Sequence, residues 1–457
     1  MAFSIDGIAS GLDTTNMINQ LMQLEARPQT LLKAKATSTQ GFVTALQQLN
    51  TRLSSLTELA TKTAKPLALD LYKVASNSDA ATATATSSAG AGTLDFTVKQ
   101  LASSQSSVTA AMTAFSAEAS TLTLRAKDGT TTEIATTGTL DDVIAQVNKA
   151  DVGITATKVS AGTLGGVQQY RLQFTAQEPG AEHRFDVFRG TAADITAGTT
   201  TDLFSESGAA TVRAAQDAEV VLWGGTAAEQ TLTSSSNTFA DILPGVSVTV
   251  AKTTTDPVSV TVSRDAEATS TKAKELVDAL RGVFSFVEAN TKVTPGATAS
   301  AAPTAGRFTG DSAVRGITQS MLTAATAPIN GRSTSELGIT LTRSGTVEFD
   351  AEKFAAALAK DPAAVKDALT QLSMRVAEAG KAASDKYDGE LTSRIKSQES
   401  TVRNLNDQVS GWDQRLEKRR SALERTYSAL EVQLSQLQSQ GDWLSSQLAG
   451  LPTGSGL

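Results

Sequence analysis

The sequence predicts a multidomain α+β protein, with a leg and stalk of coiled-coil or bundled helices built from both chain ends and a two-lobed, β-rich head in the middle. Three observations predict it. Apolar residues recur every seven positions through the last 60 residues, a shorter heptad pattern runs from Phe42 to Ala60, and apolar and polar residues alternate with period two over much of the region between.

The C-terminal repeat is the longest. Ile395, Val402, Val409, Leu416, Leu423, Leu430, Leu437, Leu444 and Leu451 are spaced by seven without exception, and a helix wound at 3.5 residues per turn keeps such positions on one seam. At about 1.5 Å per residue, a helix from residue 390 to 450 is roughly 90 Å long, which makes it a rod. Its companion positions change along the way. Leu405 and Trp412 follow their spine residue by three, whereas Tyr427, Leu434 and Leu448 follow theirs by four. The switch falls at Glu417-Lys418-Arg419-Arg420, where charged Arg419 takes the companion place. A junction between two packing environments is expected there, and the basic run itself reads as a solvated face.

At the other end, Asp13, Thr14 and Thr15 offer N-cap oxygens. Met17, Ile18, Leu21, Met22 and Leu24 then read as one apolar helix face, which Pro28 ends or restarts. Phe42, Leu46, Leu49, Leu53 and Leu56 form the seam of a second helix. A chain that rises through one helix, builds a head and descends through another brings its ends together antiparallel. The expected limits are a leg helix over 1–41 pairing with 420–457, and a stalk helix over 42–78 packing with 264–419.

From residue 76, "SNSDAATATATSSAGAGT" is too poor in large apolar groups for a core and reads as a linker or irregular edge strand. Beyond it, alternating segments predict a head of at least two β-rich lobes. Thr139-x-x-Asp142 opens a helix between these strands as a capping-box variant. Asp265 is placed to cap the first helix of the returning stalk, and further helices are expected around 311–324 and 350–383, with a short strand at Val347 and Phe349.

Composition removes several functions. The formal charge is −7, concentrated in residues 79–263, which hold 10 basic and 19 acidic residues. Such a region repels phosphate backbones and anionic headgroups, so neither nucleic acid nor membrane insertion is expected. There is no cysteine and one histidine, His183, which leaves no thiolate chemistry and no two-histidine metal site. No GxxxxGK[ST] or GxSxG occurs, and no catalytic, metal or cofactor-binding residue is singled out. The reading is of a non-enzyme without cofactors. No basic residue precedes Arg27, which departs from a cleaved secretory signal and implies another export route if the chain leaves the cell.

Segments along the chain resemble one known family. "IASGLDTTNMINQLMQLEARP" at 8–28, which carries Ile8, Gly11, Leu12 and Asp13, is similar to the N-terminal signature of the flagellar filament-capping proteins (FliD, hook-associated protein 2). "FTVKQLASSQS" at 96–106, "QDAEVVLWG" at 216–224, "LPGVSVTV" at 243–250, "GDSAVRGI" at 310–317 and "ELGITLTRSGTVEFDAEKFAAAL" at 336–358 extend it. It is thinnest over 113–213, and it implies a head whose inner lobe, 79–112 and 214–263, carries an outer lobe, 113–213, as an insertion. The resemblance implies an extracellular, pentamer-like homo-oligomeric ring at the distal filament tip, retaining flagellin while it folds and polymerises. It also implies contact with hook-filament junction proteins and export by the flagellar type III apparatus with a chaperone and without signal cleavage. Residues 8–24 and 430–451 are the expected flagellin and inter-subunit contacts. A flagellin-type filament subunit or a surface adhesin is the alternative.

Overall fold

The computed structural model describes residues 11, 13–296, 298, 301–342 and 345–449. The chain divides into two compact units: one formed by both ends, up to Lys65 and from Ser270 onward, and one formed by Pro66–Thr269. The helices are α1 (Thr14–Glu25), α2 (Arg27–Thr63), α3 (Leu140–Ala150), α4 (Ala192–Ala197), α5 (Ala266–Thr291), α6 (Ser312–Thr326), α7 (Ala351–Lys360), α8 (Pro362–Ser384) and α9 (Glu390–Ala449).

In the unit built from the chain ends, Asp13 starts α1 by accepting a hydrogen bond from the Asn16 N–H at 2.8 Å. The helix stops at Glu25 and restarts with Pro28 in the first turn of α2, where a missing N–H leaves no bond unmade. α2 buries Val43, Ala45, Leu46, Leu49, Leu53, Leu56 and Ala60. That stripe is wider than a two-helix seam because both α8 and α9 pack against α2. The α8 side is close: a Cβ on Gly380 would stand 2.2 Å from Thr57 Oγ1. α9 runs antiparallel to α2, with Gln47 Nε2 donating to Glu399 Oε1 at 3.0 Å and, further along, Gln29 donating to Asp413. Arg394 of α9 pairs with Asp311, which also caps α6 by accepting from the Val314 N–H at 3.0 Å. Its guanidinium lies 5.6 Å from the centre of the Phe42 ring, so one arginine ties α2, α6 and α9 together.

The second unit has two cores. The first joins a five-stranded antiparallel sheet to a three-stranded one. The strands are β1 (Tyr72–Ser76), β2 (Ala81–Ala85), β3 (Gly92–Gln100), β4 (Ser106–Val108), β5 (Ser120–Ala126), β6 (Thr131–Thr136), β7 (Ile154–Leu164), β8 (Val167–Ala176), β9 (Phe185–Arg189), β10 (Ala210–Arg213), β11 (Ala218–Leu222), β12 (Gln230–Ser234), β13 (Thr238–Leu243), β14 (Val246–Val250) and β15 (Val258–Arg264). The orders are β1-β15-β3-β11-β12 and β13-β14-β2, and Phe96, Val98, Val220, Val248 and Val260 fill the space they share. The second core, with Phe115, Leu122, Leu172, Phe174, Val187 and Leu203, belongs to sheets β10-β4-β8-β7 and β6-β5-β9 and to α3. All its buried members fall between Ala102 and Ala218 of the first core, so it is an insertion. At the crossing, Ser103 and Gln216 exchange backbone hydrogen bonds of 3.0 and 3.1 Å. Next to it the buried Gln105 side chain donates to Phe185 O at 2.7 Å and accepts from Phe185 N at 3.0 Å, standing in for a strand between the two outer sheets.

Several expected limits move. The helix expected to reach residue 78 ends at Thr63, and Tyr72–Ser76 instead pairs with β15 as an edge strand. The Ala/Thr stretch, expected as a linker or irregular edge strand, does contain an edge strand, β2, which pairs with β14 and buries Ala81. β4 belongs to the outer sheet, so the inserted lobe begins before residue 113. The single helix expected over 350–383 is broken at Asp361, which caps α8 ahead of Pro362. Thr139 does cap α3, but the Asp142 carboxylate reaches back to the Thr137 N–H; the reciprocal box is instead at Thr191 and Asp194 on α4.

Gly380→Val should lower unfolding stability by about 1–3 kcal/mol through overpacking. Gly411→Ala, where a Cβ meets nothing within 4 Å, should raise it by about 1 kcal/mol; urea denaturation of each variant measures both. At the α8–α9 turn, bonds from the Tyr387 and then the Asp388 N–H hold the Asp385 carboxyl below its ordinary pKa. A lowered folded-state pKa means its stabilisation is complete above the unfolded value and is lost as pH falls through the folded one. Asp385→Asn should therefore flatten the acid limb of the melting-temperature profile below about pH 4.

Candidate functional site

The spine of α9 has two halves with different surroundings. Ile395, Val402 and the companion Leu405 are buried, where α9 leaves the turn from α8 and lies along α2. Val409, Leu416 and Leu423 are half-buried, and Leu430, Leu437 and Leu444 are exposed, Leu437 by 62%. Trp412 is half-buried beneath the Arg415 guanidinium, 3.9 Å from the ring centre. Leu451 lies outside the described residues, as do Ile8 and Leu12. In the α2 seam Leu46, Leu49, Leu53 and Leu56 are fully buried, while Phe42 is half-buried with Phe308 edge-on at 6.0 Å.

The expected single face of α1 is two faces. Ile18 is buried at 6% and Met22 half-buried, four residues apart, whereas Met17, Leu21 and Leu24 are exposed. The outward set continues across the helix break to Leu31, so Met17, Leu24 and Leu31 keep a seven-residue spacing. That repeat was legible in the sequence and was hidden by the inward set interleaved with it. Gly11 is exposed with φ +70, a conformation suited to glycine just before the Asp13 cap.

The expected junction at 417–420 is not a break in α9, which is continuous from Glu390 to Ala449. The break is in its partner. Arg419 Nε lies 2.9 Å from Glu25 Oε1 at the end of α1, and Arg420 donates to Asn19. The charged position therefore marks where α9 exchanges α2 for α1, and the basic run is both solvated and paired. α1 has 12 residues, too few to flank the whole of α9 beyond Arg420 at about 1.5 Å per residue. Exposed Leu448 lies on the same face as the spine leucines, whereas exposed Val432 and Trp443, eleven residues apart, share the opposite face of α9 and had no seam assignment.

No group of three or more histidines or carboxylates among the described residues is placed to hold a metal ion. His183 is exposed, with Nδ1 2.8 Å from Pro179 O. No helix among them is long and apolar enough to cross a membrane.

Comparison with known proteins agrees with this geometry. Residues 10–105 match the family model for the flagellar hook-associated protein 2 N-terminus, and residues 215–439 match that for its C-terminus. The B-type flagellar hook-associated protein 2 of Pseudomonas aeruginosa PAO1 is 27% identical over 98% of this chain and 99% of its own. The lateral flagellar hook-associated protein 2 of Vibrio parahaemolyticus is 34% identical over 32% of each chain. The crystal structure of the D1-D2-D3 domains of the flagellar cap protein FliD from Escherichia coli shares the fold with a TM-score of 0.61 at 21% identity, covering 78% of this chain and 99% of that one. Matched by both terminal models and along nearly the full length of a relative, the chain belongs to the flagellar hook-associated protein 2 family, the filament-capping proteins of the bacterial flagellum.

Proposed function

We propose that this filament-cap protein forms a small ring at the distal filament tip, where it retains exported flagellin while each subunit folds and joins the filament. The observation that carries the reading is the exposed heptad stripe at the far end of α9, Leu430, Leu437 and Leu444, beside an α1 that also turns Met17, Leu21 and Leu24 outward. A helical rod is a poor place to leave leucines in water unless another chain covers them. Burying each is worth about 1.5–3 kcal/mol, set against an association cost of about 4–15 kcal/mol. A few such side chains give a contact that forms and breaks, as stepwise insertion of flagellin requires. The upper spine, Ile395 to Leu405, and the α2 leucines hold the stalk together within the subunit.

The same reading makes the protein structural rather than enzymatic and places it outside the cell on the flagellum. Export through the flagellar type III apparatus with a chaperone, without signal cleavage, and seating on the hook-filament junction proteins before filament growth follow from it.

Two variants separate the roles. Leu437→Asp combined with Leu444→Asp should leave the melting temperature of the purified chain unchanged, yet a strain carrying it should secrete monomeric flagellin and grow few filaments. Normal filaments in that strain would refute the leg contact. Leu53→Ala, in the buried stalk, should instead destabilise the fold by about 2–5 kcal/mol. Native mass spectrometry of the unaltered protein should show a small closed oligomer; open-ended fibres would point to a flagellin-type subunit.

A further inference from the structure

The chain leaving α6 turns back through a tight hairpin. Ile329 and Arg332 exchange backbone hydrogen bonds, each of 2.9 Å, and the residues between them, Asn330 and Gly331, have φ of +52 and +77. Positive φ at both central positions is the turn that Asn-Gly favours. Three side chains of α8, spaced by four and so on one face, grip this hairpin. Asp367 Oδ2 accepts from the Asn330 side-chain amide at 2.8 Å and from Gln371 Nε2, also at 2.8 Å. Gln371 Nε2 lies 3.4 Å from Asn330 Oδ1 as well, so α8 engages both ends of the amide. Arg375 donates to Ala327 O and Pro328 O at 3.0 and 3.1 Å. Ile329 is buried beneath, while Asn330 and Gly331 face solvent.

Asn330-Gly331 is the only Asn-Gly step in the chain. Glycine brings no Cβ to obstruct its own backbone nitrogen, so when such a turn opens that nitrogen reaches the side-chain carbon before it. The Gly331 nitrogen attacks Asn330 Cγ and forms an N–Cγ bond. The Cγ–Nδ2 bond breaks, and Nδ2 leaves as ammonia with the proton that the Gly331 nitrogen gave up. The resulting cyclic imide takes up one water at either carbonyl and opens to aspartate or to isoaspartate. We infer that Asn330 is a site of spontaneous deamidation whose rate is set by the Asp367 clamp, and that the product releases the hairpin from α8. Deamidation puts a second carboxylate where the amide donor stood beside Asp367, and like charges that close repel. Isoaspartate also adds a methylene to the main chain of a two-residue turn, which takes the Ile329–Arg332 pair out of register.

Full-length protein kept at mildly alkaline pH is sampled over time and digested with trypsin, and the peptide between Arg315 and Arg332 is followed by mass spectrometry. Fragment ions should place the amide-to-acid conversion on Asn330, with isoaspartate in the product as the mark of the cyclic route. Asp367→Ala should speed it roughly five-fold, the factor for losing about 1 kcal/mol of hydrogen bonding that holds the turn shut. An Asn330 that stays intact in both proteins would overturn the site, and equal rates would overturn the clamp. Asn330→Asp supplies a second readout that needs no chemistry. It should lower the melting temperature, and adding Asp367→Asn, which again sets one amide against one carboxylate, should recover most of the loss. A double variant no more stable than Asn330→Asp alone would overturn the release by like charges.

Discussion

The antiparallel contact between α2 and α9 is the constraint on which the unit formed by the chain ends depends. It joins residues separated by more than 350 positions in sequence, as the Gln47–Glu399 hydrogen bond illustrates. Leu46, Leu49, Leu53 and Leu56 are covered because α8 and α9 lie on different sides of α2. Their burial brings the two ends of a 457-residue chain into one body. The Arg394–Asp311 pair adds specificity more than stability, since a desolvated ion pair gains little net energy yet is costly to break. It places the start of α6 against α9 and holds the guanidinium beside Phe42.

The same contact explains why the leg differs from the stalk. α9 does not change its own helix at Arg419; its partner changes, from the long α2 to the short α1. The Glu25–Arg419 pair at that level is exposed on both sides, and such pairs contribute about 0–1 kcal/mol. Its value is in register, because a charged residue in the seam position excludes an apolar partner there and finds one that ends a helix. Past this point the heptad repeat continues in sequence while burial falls away. The leucines beyond it are left uncovered by the subunit's own described helices.

The other unit solves a different problem. Its first core is made from strands that leave and return around the insertion, and the exchanged bonds of Ser103 and Gln216, with Gln105 beside them, mark the crossing. An insertion joined this way builds its own core, Phe115 to Leu203, without drawing on the first. Its sheet is small enough to leave two strand edges open, and a single asparagine, Asn148, protects one of them over a short stretch. Edge strands left unpaired invite pairing, and here the open stretch coincides with exposed valine and leucine.

The heptads, the period-two alternation and the caps at Asp13, Thr139 and Asp265 were legible in the sequence because each arises from residues within a few positions of one another. Ile395 to Leu444 fixed a long helix, and the missing cysteines and lone histidine removed whole classes of chemistry before any fold was known. Only the tertiary structure decided which members of one unbroken repeat are core and which are surface, because spacing places Val402 and Leu437 on the same seam while burial depends on what lies beside them. It also decided that Tyr72–Ser76 is a strand rather than the end of a helix, through pairing with β15 on the far side of the inserted lobe in sequence. Sequence periodicity records the face a segment presents; the partner, and how far along the segment that partner reaches, are set by contacts distant in the chain.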